Sequence, residues 1–116
     1  GLQIFGEEIL RSEAILIERA GAIRDVNAET MIRRIGSVVI ARQYVLVDYD
    51  VRKINLEEAC RLTPGLESPT ISPLQNDDWV AVRAMVKRLD VHDVMDKLWD
   101  LGARGILVTD IHSCRL

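Results

Sequence analysis

All three prolines of this chain fall between positions 64 and 73, and that clustering constrains the fold more than any other feature. Pro64-Gly65 reads as a turn and a helix stop, because proline fixes φ and glycine accepts positive φ. Beyond it, Ser68, Thr70 and Ser72 alternate with Pro69, Ile71 and Pro73. An extended segment with that rhythm carries its hydroxyls on one face. Proline has no N–H to give a ladder, so the strand expected over residues 68–74 belongs at a sheet edge. Two readings of the segment stand side by side. One is a hydroxyl-lined cradle for a small polar ligand; the other is a rigid loop with a solubilised edge.

Around this edge the periodicities are plain. Residues 44–50 read as a strand with Val45, Val47 and Tyr49 inward and Tyr44, Leu46, Asp48 and Asp50 outward. Residues 79–87 read as another, with Val80, Val82, Ala84 and Val86 on one face and Trp79, Ala81, Arg83, Met85 and Lys87 on the other. A short helix is expected over 56–62, with Asn55 as cap and Glu57 and Glu58 in its first turn. A second spans 91–101, capped by Asp90, striped by Val91, Val94, Met95, Leu98 and Leu101, and stopped at Gly102. Residues 105–111 make the last strand, and 113–116 should fray.

The order strand, helix, strand, strand, helix, strand is a split βαβ arrangement. It predicts an α+β, ferredoxin-like fold (βαββαβ), a four-stranded antiparallel sheet with both helices on one face. The other face is left open. Leu46, Trp79, Met85, Leu107 and Ile111 make it too apolar for plain solvent surface, so a partner domain or a second copy is expected against it.

Before residue 43 the rhythm differs. Residues 2–5 and 9–18 read as a strand pair joined at Gly6-Glu7, and Ile15-Leu16-Ile17 suits a strand buried on both faces. Little else there would cover such a pair. It reads as part of a larger sheet, which alone should pair with another copy or be poorly ordered. A helix is expected over 28–42, capped by Asn27, with Met31, Ile32, Ile35, Val38 and Val39 along one side. The only candidate boundary is the change of rhythm near Arg42.

With 116 residues, 48% of them hydrophobic, the chain can build a real core. A net charge of -3 with interspersed signs, and aromatics at only 4%, argue against a nucleic-acid binder. Cys60 and Cys114 make no disulfide framework and fit a reduced compartment. The first residues lack the pattern of a signal peptide and no apolar run has membrane-span length, so a cytoplasmic protein without membrane contact is expected.

The chemistry-bearing residues are sparse. Asp93, Asp96 and Asp100 fall on the polar face of a helix from which His92 points away, which reads as a solvated surface. His112 and Cys114 have no second pair to complete a zinc site, so no metal site is expected. No nucleotide-binding glycine loop and no nucleophile with its base can be found, so no catalytic residue is assigned. Asp50 stands apart. It ends a strand on the open face, the face of Ser68 and Thr70. A free amino acid needs an anion for its ammonium group and donors for its carboxylate. Asp50 supplies the first, and Ser68, Thr70 and the backbone after Gly65 could supply the second. Gly105, on the same face, would admit a ligand close to the backbone. Asp50 as a mere exposed strand end remains the other reading.

Three stretches, Ser12 to Arg19 (SEAILIER), Pro64 to Ile71 (PGLESPTI) and Leu101 to Val108 (LGARGILV), resemble ATP phosphoribosyltransferase in its long, actinobacterial form. The resemblance runs along essentially the whole chain but covers only the C-terminal part of that enzyme. It implies that residues 1–42 are the end of the second catalytic lobe and residues 43–116 the ferredoxin-like regulatory domain, which binds L-histidine for feedback inhibition. The parent enzyme joins ATP to phosphoribosyl pyrophosphate with magnesium, as a hexamer. The phosphoribosyl-pyrophosphate loop has no counterpart here, so this chain alone is expected to be inactive and to need no cofactor. Carried over position by position, the histidine pocket would comprise Asp50, Leu66, Ser68, Thr70, Met85 and Gly105. The expected partners are histidine, the catalytic lobes and further copies of the chain through the open sheet face. A purely structural oligomerisation module, with no ligand of its own, is the alternative.

Overall fold

The structure, a computed structural model, describes residue 3 and residues 5–115. The first regular element is helix α1 (Val26–Gln43), which runs without a loop into strand β1 (Tyr44–Arg52). A turn of 3₁₀ helix (Lys53–Asn55) leads to α2 (Leu56–Leu62), then come β2 (Thr70–Pro73), β3 (Trp79–Lys87), α3 (Val91–Asp100) and β4 (Arg104–Asp110). The strands form one antiparallel sheet in the order β2-β3-β1-β4. This is the expected ferredoxin-like arrangement, with the proline-bearing strand at an edge.

The core lies on one side of the sheet. Val45, Val47, Tyr49 and Val51 of β1 and Val80, Val82 and Val86 of β3 pack with Ala59 of α2 and Val91, Val94 and Leu98 of α3. The alternation in β1 and β3 therefore resolves as read: every second side chain lies under the two helices and the rest face away. α3 closes in a Schellman motif, with the Ala103 N–H donating to Leu98 O and the Gly102 N–H to Trp99 O, both at 2.9 Å.

Capping differs in detail from expectation. α1 starts at Val26, and its cap is Asp25, whose Oδ1 accepts from the Ala28 N–H at 2.7 Å; Asn27 lies inside the helix. Asp25 and Asn27 are both good caps, and the earlier one satisfies an orphan N–H while lengthening the helix by Val26 and Asn27, about half a turn. Asn55 and Asp90 occupy the cap positions of α2 and α3 without a side-chain cap bond. Asn55 Nδ2 instead donates to Leu101 O at 2.8 Å, tying the start of α2 to the end of α3.

The expected strand pair before α1 is not formed among the described residues. Among the described residues no strand precedes Tyr44, and Leu2 and Ile4 of the first expected strand lie outside them. Phe5, Ile9, Leu10, Ile15, Leu16 and Ile17 are exposed. An extended segment becomes a strand only when a neighbour accepts its ladder bonds, and among the described residues none pairs with it. What order the segment has comes from a turn at Gly21, with the Ala22 N–H on Arg19 O, and from the Arg24 guanidinium gripping Glu18 at 2.6 and 2.7 Å. That contact holds the Glu18 carboxyl below its ordinary range.

α1 contributes little to the core. Ser37 and Ala41 are buried, while Met31, Ile35, Val38 and Val39 of its apolar side remain exposed. Its junction with β1 is held by Arg88, whose backbone N–H donates to Gln43 O, whose Nε donates to Arg42 O, and whose Nη1 meets Asp110 Oδ1 at 2.9 Å. The chain end expected to fray is tied to α1 where the Cys114 N–H donates to Ser37 O at 3.0 Å. No helix among the described residues is long and apolar enough to cross a membrane.

Candidate functional site on the open sheet face

Register sets the open face row by row. Antiparallel partners project to the same side of a sheet, and rows of one face are about 6.8 Å apart along the strand. In one row Thr70 faces Arg83, Arg83 faces Asp48, and Asp48 faces Leu107. In the next, Ser72 faces Ala81, Ala81 faces Asp50, and Asp50 faces Arg104. On the other side of the first row, Met85 and Thr109 flank Leu46. Asp50 and Thr70 thus share the uncovered face, two strands and one row apart, about 12 Å between their Cα atoms on standard spacings.

Two irregularities shape this face. The β1–β4 pairing slips between Asp48 and Asp50. Gly105 takes up the slip with φ +60, and a Cβ placed there would lie 3.7 Å from Asp50 Oδ2. The Asp50 carboxylate therefore lies over a bare patch of backbone, as expected for a point where a ligand could come close. The other irregularity is the turn before β2. Gly65 has φ +72, and a Cβ there would press to 3.1 Å from the Ser68 carbonyl oxygen. Only glycine lets the chain fold back on Ser68 so tightly.

The six residues proposed from sequence are therefore distributed, not gathered. Asp50 and Gly105 adjoin on β1 and β4. Thr70 lies on the edge strand and Ser68 just before it, both exposed. Leu66 and Met85 line a separate hollow of about 380 Å³ near Pro64, Lys87 and Asp90. That hollow begins at Met85, two rows or about 14 Å from Asp50. One small ligand does not span all six within one chain.

The face also holds residues the sequence reading passed over. Arg83 Nε donates to Asp48 Oδ1 at 2.6 Å, and with Thr70, Ser72 and Ala81 the pair lines a hollow of about 200 Å³. Both residues were recognised as facing outward, but their contact depends on a cross-strand register that one strand's pattern does not contain. At the far end Arg52 stacks over Trp79, its guanidinium carbon 5.6 Å from the ring centroid.

The acidic face of α3 is solvated, with Asp93 paired to Lys97. Cys60 and Cys114 are free, and burial pushes the Cys60 thiol up. Among the described residues no group of three or more His, Cys, Asp or Glu side chains could hold a metal ion.

Comparison with known proteins gives this geometry a context. The family described as "HisG, C-terminal domain" matches residues 41–113, the ferredoxin-like unit and its junction with α1. The chain belongs to that family. Along its whole length it is also similar to proteins named ATP phosphoribosyltransferase. The one from Pseudarthrobacter chlorophenolicus is 56% identical over 119 residues, the one from Streptomyces avermitilis 56% over 120, and the one from Micrococcus luteus 53% over 116. The chain spans 100% of its own length in these alignments but only 41–42% of theirs. As a member of the HisG C-terminal domain family, it presents its β1 and β3 valines to the helices and its Asp48, Asp50, Thr70 and Arg83 to the uncovered side.

Proposed function

We propose that this chain is the C-terminal region of an ATP phosphoribosyltransferase and that its open sheet face binds L-histidine as a feedback inhibitor. The observation that carries the proposal is the sharing of one uncovered face by Asp50, Gly105 and Thr70, with Ser68 at the end of the same edge. Asp50 would take the ammonium group and the hydroxyls the carboxylate. Met85 lies two rows, about 14 Å, from Asp50, and Leu66 shares the hollow of Met85, which supports a pocket completed by a neighbouring subunit, so that each ligand meets Asp50 of one chain and Leu66 and Met85 of another. Residues 1–42 would belong to the second catalytic lobe and residues 43–116 to the regulatory domain. The exposed Ile9, Ile15, Ile17 and Val39 are then surface that the lobe covers in the whole enzyme. Histidine acts as an inhibitor only by preferring one arrangement of subunits over another.

Calorimetric titration of the chain with L-histidine tests this. Saturable heat at micromolar to millimolar histidine is the expected result, with no formation of phosphoribosyl-ATP. A second reading draws on Leu46, Met85 and the well-exposed Leu107 of the open face, which would suit an assembly module with no ligand. Absence of heat and of any thermal shift at millimolar histidine, in a sample confirmed as oligomeric, would select that reading.

A further inference from the structure

The proposed histidine site lacks a counter-charge. An amino acid brings a carboxylate as well as an ammonium group, and Asp50 answers only the second. Ser68 and Thr70 donate hydrogen bonds but carry no charge. The cation directly opposite Thr70 in the sheet is Arg83, and directly opposite Arg83 on the next strand is Asp48. Hydroxyl, guanidinium and carboxylate thus stand in line across three strands, over a hollow of about 200 Å³ that Thr70, Ser72, Asp48 and Arg83 line together.

The way Arg83 is held matters. Asp48 engages it through Nε alone, at 2.6 Å. Among the described residues its two Nη groups have no hydrogen-bond partner, so the end-on fork that matches a carboxylate in a bidentate fashion stays free. Arg83 is more than half exposed, and an exposed ion pair adds little to stability. What the pair does supply is a guanidinium held between Thr70 and Asp48, one row from Asp50.

We infer that Arg83 reads the α-carboxylate of the bound amino acid, with Asp48 as the residue that positions its guanidinium. This rests on the histidine-binding reading above and adds the group that selects for a carboxylate. The ligand class is narrowed to free amino acids carrying both charges. Amines and alcohols of the same side chain are disfavoured.

The test compares L-histidine with L-histidinol, in which a hydroxymethyl group replaces the carboxylate, on the whole chain and on its Arg83→Gln and Asp48→Asn variants. Ligand-observed NMR at millimolar concentration measures weak binders, and thermal unfolding verifies the fold of each variant. The wild-type chain should favour histidine over histidinol about 10-fold or more, the loss expected for a charge-assisted hydrogen bond. In Arg83→Gln that ratio should fall close to one, mainly through weaker histidine binding, with Asp48→Asn between the two. An unchanged ratio in Arg83→Gln would overturn the inference. Equal loss of both ligands would also overturn it, since Arg83 would then support the site without reading the carboxylate. A wild-type chain that binds neither ligand would instead bring down the histidine-binding reading itself.

Discussion

The Tyr49 hydroxyl lies 2.7 Å from Thr63 Oγ1, and both residues are fully buried. Thr63 Oγ1 also donates to Ala59 O at 3.1 Å, so the proton between the two hydroxyls belongs to Tyr49. The chain of bonds joins β1, at the residue before Asp50, to the end of α2, at the residue before Pro64. It fixes where the turn toward Ser68 and Thr70 begins. Thr63→Val leaves the Tyr49 O–H buried without a partner and should cost about 1–3 kcal/mol. Tyr49→Phe leaves Thr63 its bond to Ala59 and should cost about 1 kcal/mol. Urea unfolding of both variants checks the order; a Tyr49→Phe loss larger than that of Thr63→Val would contradict it.

The same residue gives the fold a pH limit. Burial pushes the Tyr49 hydroxyl up to about 12, against an ordinary value near 10. The folded chain holds the neutral form, so its stability contribution is intact below pH 10. It is lost as pH rises toward about 12, because there the unfolded chain can ionise and the folded chain cannot. Unfolding free energy should fall by roughly 1–3 kcal/mol across that window. Tyr49→Phe should flatten this decline. A variant with the same alkaline slope as the wild type would assign the loss to other groups.

Gly105→Ala should act at two levels. Its φ of +60 strains any side chain, at a cost of about 1–2 kcal/mol. The added methyl would also sit 3.7 Å from Asp50 Oδ2, on the side a ligand would approach. Stability measured by urea and affinity measured by calorimetry should both drop. A stable variant with unchanged affinity would mean that the bulge can relax and that ligand does not pass over Gly105.

How much of this was legible beforehand depends on how local each feature is. The valine alternation in β1 and β3 is local, and it correctly assigned Val45, Val47, Val80 and Val82 to the core. The prolines of β2 correctly marked an edge. Asp50 and Thr70 could be put on one face because each strand's parity is local and the fold order supplies the rest. The Asp48–Arg83 contact was not legible, because it needs the register between strands. The strand pair over 2–18, expected to need a larger sheet or a second copy, forms no ladder among the described residues for a related reason. Ile15-Leu16-Ile17 has the composition of a buried strand, but composition does not create the neighbour that a strand requires.

That absence of a ladder makes its own prediction. Limited trypsin digestion of the intact chain should cut first after Arg11, Arg19 and Arg24, where the backbone has few bonds to the rest of the molecule. The product, beginning near the Asp25 cap, should keep its thermal midpoint within about 2 °C of the intact chain, because none of the segment's described residues belongs to the core. Early cleavage at Arg52 or Arg83 with the first 24 residues intact would reverse the assignment.

Thr70→Ala removes one hydroxyl from an exposed edge position. Stability should change by less than about 0.5 kcal/mol, while histidine affinity should fall several-fold. Equal affinity in calorimetry would take Thr70 out of the site.

The most direct measurement is a two-dimensional amide NMR titration of the isotope-labelled chain with L-histidine. Shifts concentrated at Asp50, Thr70, Arg83 and Gly105, extending to Leu66 and Met85 when neighbouring subunits are engaged, are the predicted result. No shifts at millimolar histidine, or shifts confined to α2 and α3 on the opposite side of the sheet, would contradict the account.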